Sequence, residues 1–432
     1  MTTLDEKALH RLLRRGVAEI VVEEELVRLL KEGRPLRLKM GFDPSRPDLH
    51  LGHVVGLRKL RQFQELGHQV ILIVGDWTAQ IGDPSGTSAT RTMLSAEEVR
   101  ANAQTYMRQF FKVVDRERTE TRWQSEWFGK FDLSKVIELT SRFTVAQFLA
   151  REDFSQRFQA GRPIAITELL YPLLQAYDSL EIEADVEFGG TDQKFNLLVG
   201  RELQEKAGQR PQQCFLVPII PGTDGVQKMS KTLHNYIAGE EPPTEMFGKV
   251  MSLPDWLIMD YFDLLTDVPD KELAQMRSQL AGGSGNPMEL KKRLGCEIVA
   301  QFHSAEAARS AQEHFERVVQ RRQAPEEMEA VAISANAPGV VEYRPGEGAM
   351  VEMDRFLALR GLASSRAEAR RLLSQGAVQI NGQKVTPDSL FVQIEIGGGG
   401  GVRKATQGIY FVPFGAVLRV GRHRFARVVA GQ

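Results

Sequence analysis

The chain has 432 residues and a mass of 48.4 kDa, enough for two to four domains. With 42% apolar and 26% charged residues it is an ordinary globular chain, which excludes disordered, collagenous and disulfide-scaffold classes. Cys214 and Cys296 are the only cysteines, so a Cys-rich zinc site is excluded and a reducing, cytoplasmic setting is expected. No apolar run approaches the ~20 residues of a membrane helix, and the N-terminus lacks the apolar centre of a signal peptide. The net charge of −1 hides an asymmetry: residues 351–432 hold 12 Lys and Arg against 5 Asp and Glu, or +7, leaving −8 elsewhere. A basic end on a neutral chain points to a polyanionic partner.

Residues 1–34 mix charged and apolar residues at helical spacing. Leu36, Leu38, Met40 and Phe42 then alternate as a strand, which Pro44 and Pro47 break. Leu51, Val54, Val55, Leu57, Leu60, Phe63 and Leu66 follow at helical spacing, with Gly67 placed as the C-terminal cap. The apolar run 70–74 reads as a buried parallel strand, so 37–74 is strand, helix, strand, the unit of an open parallel sheet. A long helical stretch, 95–162, precedes two further strands at 182–188 and 215–220. Residues 255–319 read as a helical bundle. Residues 323–350, rich in Ala, Pro, Glu and Gly, read as a linker with local turns. The tail resets to short helices and strands, with the five glycines 397–401 as a flexible loop.

Three stretches point to one nucleotide site. His50-Leu51-Gly52-His53 lies at a strand-to-helix turn, where free N–H groups suit phosphate and the two imidazoles share one helical face. Gly52 allows a base or ribose to approach the backbone. Lys228-Met229-Ser230-Lys231-Thr232 sits in a small, polar, Gly-rich loop whose lysines can neutralise charge on a leaving polyphosphate. Ile81-Gly82-Asp83-Pro84-Ser85-Gly86 follows a strand, at the carboxyl end where open sheets bind ligands. Further along, Tyr171, Gln175 and Asp178 line one face of a helix otherwise covered by leucines. A phenol, an amide and a carboxylate so placed need polar partners, because burial without them costs a few kcal/mol.

The first motif paired with Lys-Met-Ser-Lys-Thr about 175 residues later resembles the class I aminoacyl-tRNA synthetases. Pantetheine-phosphate and nicotinate nucleotidylyltransferases share the first motif but are much shorter. Gly41-Phe42-Asp43-Pro44 is similar to the tyrosyl and tryptophanyl branch. The Tyr-x-x-x-Gln-x-x-Asp helix and Gly189-Gly190-Thr191-Asp192-Gln193 resemble the tyrosyl-tRNA synthetase family.

The resemblance implies an enzyme that activates L-tyrosine with ATP and transfers tyrosyl to tRNA(Tyr). It implies that Asp178 accepts a hydrogen bond from the phenol, and that Tyr171, Gln175 and Asp83 hold the ammonium with Gln193 nearby. Asp192 and Gly190 would hold the ribose, Asp43 and Ser45 would border the nucleotide, and His50 and His53 would meet its phosphates. Lys228 and Lys231, with Met229 and Ser230 between them, would close on the pyrophosphate, with Arg91 as helper. A site that hydrogen-bonds a hydroxyl rejects the analogue lacking it, a rule whose standard illustration is the tyrosyl enzyme itself. Mg²⁺ is expected with ATP, with no dedicated protein metal site, and a homodimer is expected through the helical insertion. Two positions depart from the family pattern: Lys39 stands where many bacterial members place a second tyrosine against the phenol, and Thr87 where some have lysine. The partner of Lys39 is left open.

In the tail, two short helices at 353–362 and 364–374 are expected, with Ser365 and Glu368 as a capping box and Arg366, Arg370 and Arg371 on the second. Residues 378–385 read as a hairpin turned by Asn381-Gly382. This pattern resembles the alpha-L RNA-binding module of a small-subunit ribosomal protein, which implies that these arginines and Lys384 contact RNA phosphates.

The expected architecture is α/β. It has a Rossmann-like catalytic domain (1–230) with a helical dimerisation insertion (95–162), then the lysine loop with an α-helical anticodon-side domain (231–322). A linker (323–350) and a small α+β RNA-binding domain (351–432) follow. A tryptophanyl enzyme and a non-catalytic synthetase-like RNA binder are the alternatives.

Overall fold

Leu38, Met40 and Phe42 alternate as a half-buried strand should, yet Lys39 between them is buried too. Strand β2 (Arg37–Phe42) is therefore enclosed on both faces, as a central parallel strand must be. The computed structural model describes residues 6–44, 49–84, 94–230, 233–321, 328–386, 391–396, 399–404, 408–421 and 424–431. Residues up to Arg309 form one compact unit and those from Ser310 a second.

In the first unit β2 lies within a six-stranded sheet with β1 (Glu19–Val21), β3 (Gln69–Val74), β4 (Thr119–Trp123), β5 (Val186–Gly190) and β6 (Gln213–Val217). The order is β1-β6-β5-β2-β3-β4, parallel throughout except that β1 pairs antiparallel with β6. From β2 the chain winds to β3 on one side and later to β5 on the other. The carboxyl ends of β2 and β5 thus flank the reversal point where such sheets bind ligands. Helix Leu51–Glu65 leaves the sheet as expected, and Gly67, at φ 98°, ends it in a conformation that favours glycine.

Several expectations are corrected. Residues 1–34 are not one helical stretch: helices Glu6–Arg14 and Glu23–Lys31 flank β1, because the β-branched run Ile20-Val21 adds to the sheet edge. The stretch 95–162 is not continuously helical. Helices Ala96–Phe110, Leu133–Thr140, Val145–Leu149 and Glu152–Gln159 are interrupted by β4, whose Thr119, Thr121 and Trp123 suit an edge strand. The strand expected at 182–188 starts four residues later, because helix Ile166–Glu181 ends at Ile182 and Glu183 turns the chain at φ 50°. The strand expected at 215–220 is displaced the other way, to Gln213–Val217.

In the second unit, part of the expected linker is ordered sheet. Glu329–Ile333 pairs parallel with Arg424–Ala430, and Val340–Arg344 and Gly348–Glu352 join Ile409–Pro413 in a separate three-stranded sheet. Its composition hid a short apolar alternation, with Val331 and Ile333 in the core beside Phe356, Val378 and Leu418. Gly399–Lys404 pairs with Phe391–Ile396, so three of the five glycines form strand rather than loop. The hairpin stands as expected, Asn381 and Gly382 both having positive φ (48° and 82°). Ser365 caps helix Arg366–Ser374 by accepting from Glu368 N–H, but the Glu368 carboxylate returns to Ser364 rather than Ser365. The capping box is therefore displaced by one residue on its return arm.

Arg15 holds the N-terminal segment to the helical part of the first unit. Its Nε donates to the Asp263 carbonyl, Nη1 to Val268 O and Asp270 Oδ1, and Nη2 to Phe262 O and Thr266 O. Two of these acceptors, the Phe262 and Asp263 carbonyls, lie in the last turn of helix Ile258–Leu265, and the other three lie in the segment that follows it, so one guanidinium ties the N-terminal segment across the end of that helix. Arg15→Ala is expected to lower stability by about 1–3 kcal/mol, read as an earlier urea midpoint. Arg15→Lys should recover little of it, since an ammonium has three donors for five acceptors.

Candidate active site

Strands β2, β3, β4 and β5 deliver polar groups to the same carboxyl-end edge of the sheet. At the end of β2, Asp43 accepts from Thr78 Oγ1 (2.7 Å) and from Tyr171 OH (2.8 Å), joining three segments far apart in sequence. Tyr171 is buried, and burial chiefly, with Asp43 and Asp83 beside it, drives its phenol well above the usual tyrosine range. Asp83 accepts from Gln193 Nε2 at 2.7 Å, so the loop after β3 and the turn after β5 meet as the motifs suggested.

Asp178 lies at the floor. Its carboxylate accepts from Gln124 Nε2 (2.8 Å) and Trp127 Nε1 (3.1 Å). The Gln124 amide is itself oriented by two backbone donors to its oxygen, the N–H groups of Thr78 and Trp77. Burial pushes the Asp178 carboxyl up to about 7, against the opposing pull of Lys39 and the Gln124 hydrogen bond. Thr78, Gln124 and Trp127 were missed in the sequence. The last two lie in the stretch read as helical insertion, and only a tryptophan beside a glutamine there offered a signal.

Lys39 does not face a phenol. Its ammonium donates to Glu187 Oε1 (2.9 Å), the Gln175 carbonyl (2.7 Å) and Ser179 Oγ (2.7 Å), which uses all three of its N–H groups.

His50 precedes helix Leu51–Glu65 and its ring stacks on His53 at 3.9 Å between centroids. The shared face expected of the two imidazoles is present, and His53 Nδ1 accepts from the His50 N–H. A Cβ on Gly52 would lie 2.9 Å from His50 Nδ1, so this glycine makes room for the His50 ring as well as for any ligand. Gly190 is similarly constrained, by Asp192 Oδ1 at 2.7 Å. Lys228 Nζ donates to Asp192 Oδ2 at 3.1 Å, so the lysine loop and the turn after β5 meet directly.

Met229 is buried, and Ser230 N–H donates to Asn235 Oδ1 (2.8 Å). Asn235, missed in the sequence, also donates to Asp224 and to the Lys228 carbonyl, and so braces this loop. Ser45, Thr87, Arg91 and Lys231 lie outside the described residues. Among the described residues no group of three or more His, Cys, Asp or Glu could hold a metal ion.

In the second unit Asp354 gathers two of the expected RNA-binding arginines: Arg370 Nε donates to it at 2.7 Å and Arg366 Nη2 at 3.2 Å. Arg371 pairs loosely with Glu368 at 3.8 Å, and Lys384 extends from the neighbouring hairpin strand.

Comparison with known proteins names this arrangement. A family model for class I tRNA synthetases (W and Y) matches residues 31–320, and the S4 domain matches 353–391. The tyrosine–tRNA ligase of Dehalococcoides mccartyi strain CBDB1 is 55% identical over 424 residues, 98% of this chain and 99% of that protein. The tyrosine–tRNA ligase of Thermotoga maritima is 48% identical over 422 residues, covering 98% and 97%. Among solved structures, the tyrosyl-tRNA synthetase of Archaeoglobus fulgidus complexed with L-tyrosine is 25% identical, with a TM-score of 0.57 over 71% of this chain and 99% of that one. With a class I sheet, an S4 module and full-length relatives of that name, the chain belongs to the tyrosine–tRNA ligases of the class I tRNA synthetase family.

Proposed function

We propose how this chain divides the work of a tyrosine–tRNA ligase, which activates L-tyrosine with ATP and passes the tyrosyl group to tRNA(Tyr). The observation that carries the amino-acid assignment is the buried Asp178 carboxylate, held by Gln124 and Trp127 on the helix that also presents Tyr171 and Gln175. Asp178 accepts from the substrate phenol. Tyr171, Gln175 and Asp83, with Gln193, hold the ammonium. On the nucleotide, Gly190 and Asp192 take the ribose, Asp43, Ser45 and Gly52 border it, and His50 and His53 meet the phosphates. Lys228 and Lys231, with Met229, Ser230 and Arg91, close on the pyrophosphate; the Lys228–Asp192 contact is the open-cleft partner that ATP would replace.

In the first step a tyrosine carboxylate oxygen attacks the α-phosphorus, and the α–β bond electrons leave with pyrophosphate. In the second, a terminal ribose hydroxyl of the tRNA attacks the tyrosyl carbonyl and AMP leaves. No side chain acts as nucleophile, so the chain's contribution is positioning and charge stabilisation. Mg²⁺ would enter with ATP, on polyphosphate oxygens. The basic helix with Arg366, Arg370 and Arg371, and Lys384 beside it, contacts tRNA phosphates. A cytoplasmic site of action fits the two free cysteines. A homodimer through the insertion is supported by the large apolar side chains it leaves exposed, Leu133, Ile137, Val145 and Phe158, with Ile166 just beyond.

ATP–pyrophosphate exchange with each amino acid, without tRNA, is expected with tyrosine and not with tryptophan. Asp178→Asn should lower kcat/KM for tyrosine about 10- to 100-fold, the loss of one hydrogen bond to a charged acceptor. Below about 7 the Asp178 carboxyl takes up a proton, loses its charge and becomes a weaker acceptor, so KM for tyrosine should rise as pH falls through that value. Its effect on stability runs the same way in protonation and the opposite way in benefit. The folded value lies above the ordinary ~4, so the contribution is full below ~4 and is lost as pH rises through the folded value.

Ile137→Asp together with Phe158→Asp should convert a two-chain species to one of 48.4 kDa in sedimentation. Arg370→Ala should weaken tRNA binding and flatten its salt dependence by about one unit of slope.

A further inference from the structure

Lys39 and Glu187 face each other across β2 and β5 as register partners, and neither has exposed surface to speak of. Such a pair is costly to bury, so its surroundings matter. Around it, Glu187 Oε1 accepts from Lys39 and from Gln175 Nε2 at 3.1 Å. Glu187 Oε2 accepts from Ser179 Oγ at 3.1 Å and from Gln212 Nε2. Lys39 also bonds the Gln175 carbonyl, so both the backbone and the side chain of that residue are tied to the pair. Helix Lys194–Lys206 seals the network: a Cβ on Gly200 would lie 2.7 Å from Gln212 Nε2 and 3.3 Å from Glu187 Oε2.

We infer that Lys39 and Glu187 are positioning residues for amino-acid recognition, fixing the Gln175 amide so that its oxygen meets the substrate ammonium. A glutamine amide has a donor end and an acceptor end of nearly equal size. Glu187 Oε1 accepts, so it takes the Nε2 end of the Gln175 amide and leaves that amide's Oε1 for the substrate. A reversed amide would set an N–H₂ group against an ammonium, donor against donor. Lys39 holds both Glu187 Oε1 at 2.9 Å and the Gln175 carbonyl at 2.7 Å, and so fixes the acceptor together with the backbone of the residue it orients. The residue found where many family members place a tyrosine against the phenol thus serves the other end of the substrate. The inference rests on the assignment of Gln175 to the ammonium.

The test compares L-tyrosinol with 3-(4-hydroxyphenyl)propan-1-ol, the same molecule without its amine, as inhibitors of ATP–pyrophosphate exchange by the full chain. Lys39→Met/Glu187→Leu replaces the pair with apolar groups of similar size, a change buried pairs often tolerate. It is expected to weaken tyrosinol about tenfold and the amine-free alcohol less than about twofold. Glu187→Gln, whose amide oxygen Lys39 would hold toward Gln175, is expected to bring tyrosinol back to within about threefold of the parent. Equal weakening of both ligands, no weakening, or no recovery in Glu187→Gln would overturn the inference. Gln175→Ala separates the two levels. If it spares tyrosinol, the ammonium assignment falls and the inference with it. If it weakens tyrosinol selectively while Lys39→Met/Glu187→Leu does not, the inference alone falls.

Discussion

The layer between the sheet and helix Ile166–Glu181 buries the side chains of Lys39, Asp178 and Glu187, and the rest of the first unit is arranged around the cost of burying them. Each is tolerated because its polar group meets donors or acceptors of fixed orientation. Asp178 has an amide and an indole, Glu187 has an ammonium, a hydroxyl and two amides, and Lys39 has a carboxylate, a carbonyl and a hydroxyl. A site with so little freedom to re-form its hydrogen bonds discriminates strongly, because a substrate that leaves one unpaired cannot be accommodated by rotation or by water.

The sheet order turns that local chemistry into one cleft. Asp43 ends β2, Thr78 and Asp83 follow β3, Gln124 follows β4, and Asp192 and Gln193 follow β5. Parallel strands point the same way, so these ends fall on one edge. The winding in opposite directions from β2 opens a crevice there instead of covering it. The contacts Asp43–Tyr171, Asp83–Gln193 and Asp192–Lys228 are the consequence: each joins a strand end to a segment distant in sequence. Arg15, at the other end of the chain's course, performs a similar joining role by supplying donors to a helix terminus it does not belong to.

Much of this was legible in the residues. The strand–helix–strand unit at 37–74 has a clean change from alternating to helical period, and the hairpin at Asn381-Gly382 needs two positive φ angles that those residues favour. The His50/His53 and Lys228 motifs and the Tyr171–Gln175–Asp178 face needed only spacing. What was misread has a common cause. Strand β4 is polar at the edge, and Glu329–Ile333 is short within a Gly- and Pro-rich stretch, so neither advertises its pairing. Pairing across long sequence separations leaves no periodic trace.

Sequence by itself determined the elements, the motifs and the family, because hydrophobic period and turn chemistry are local properties of the chain. Only the tertiary structure decided which groups share a proton or a hydrogen bond. Gln124 and Trp127 reach Asp178, and Lys39 turns to Glu187, through contacts that span more than 50 positions of sequence. Those pairings follow from which strands lie side by side and which faces are sealed from water, and no window of residues encodes that on its own.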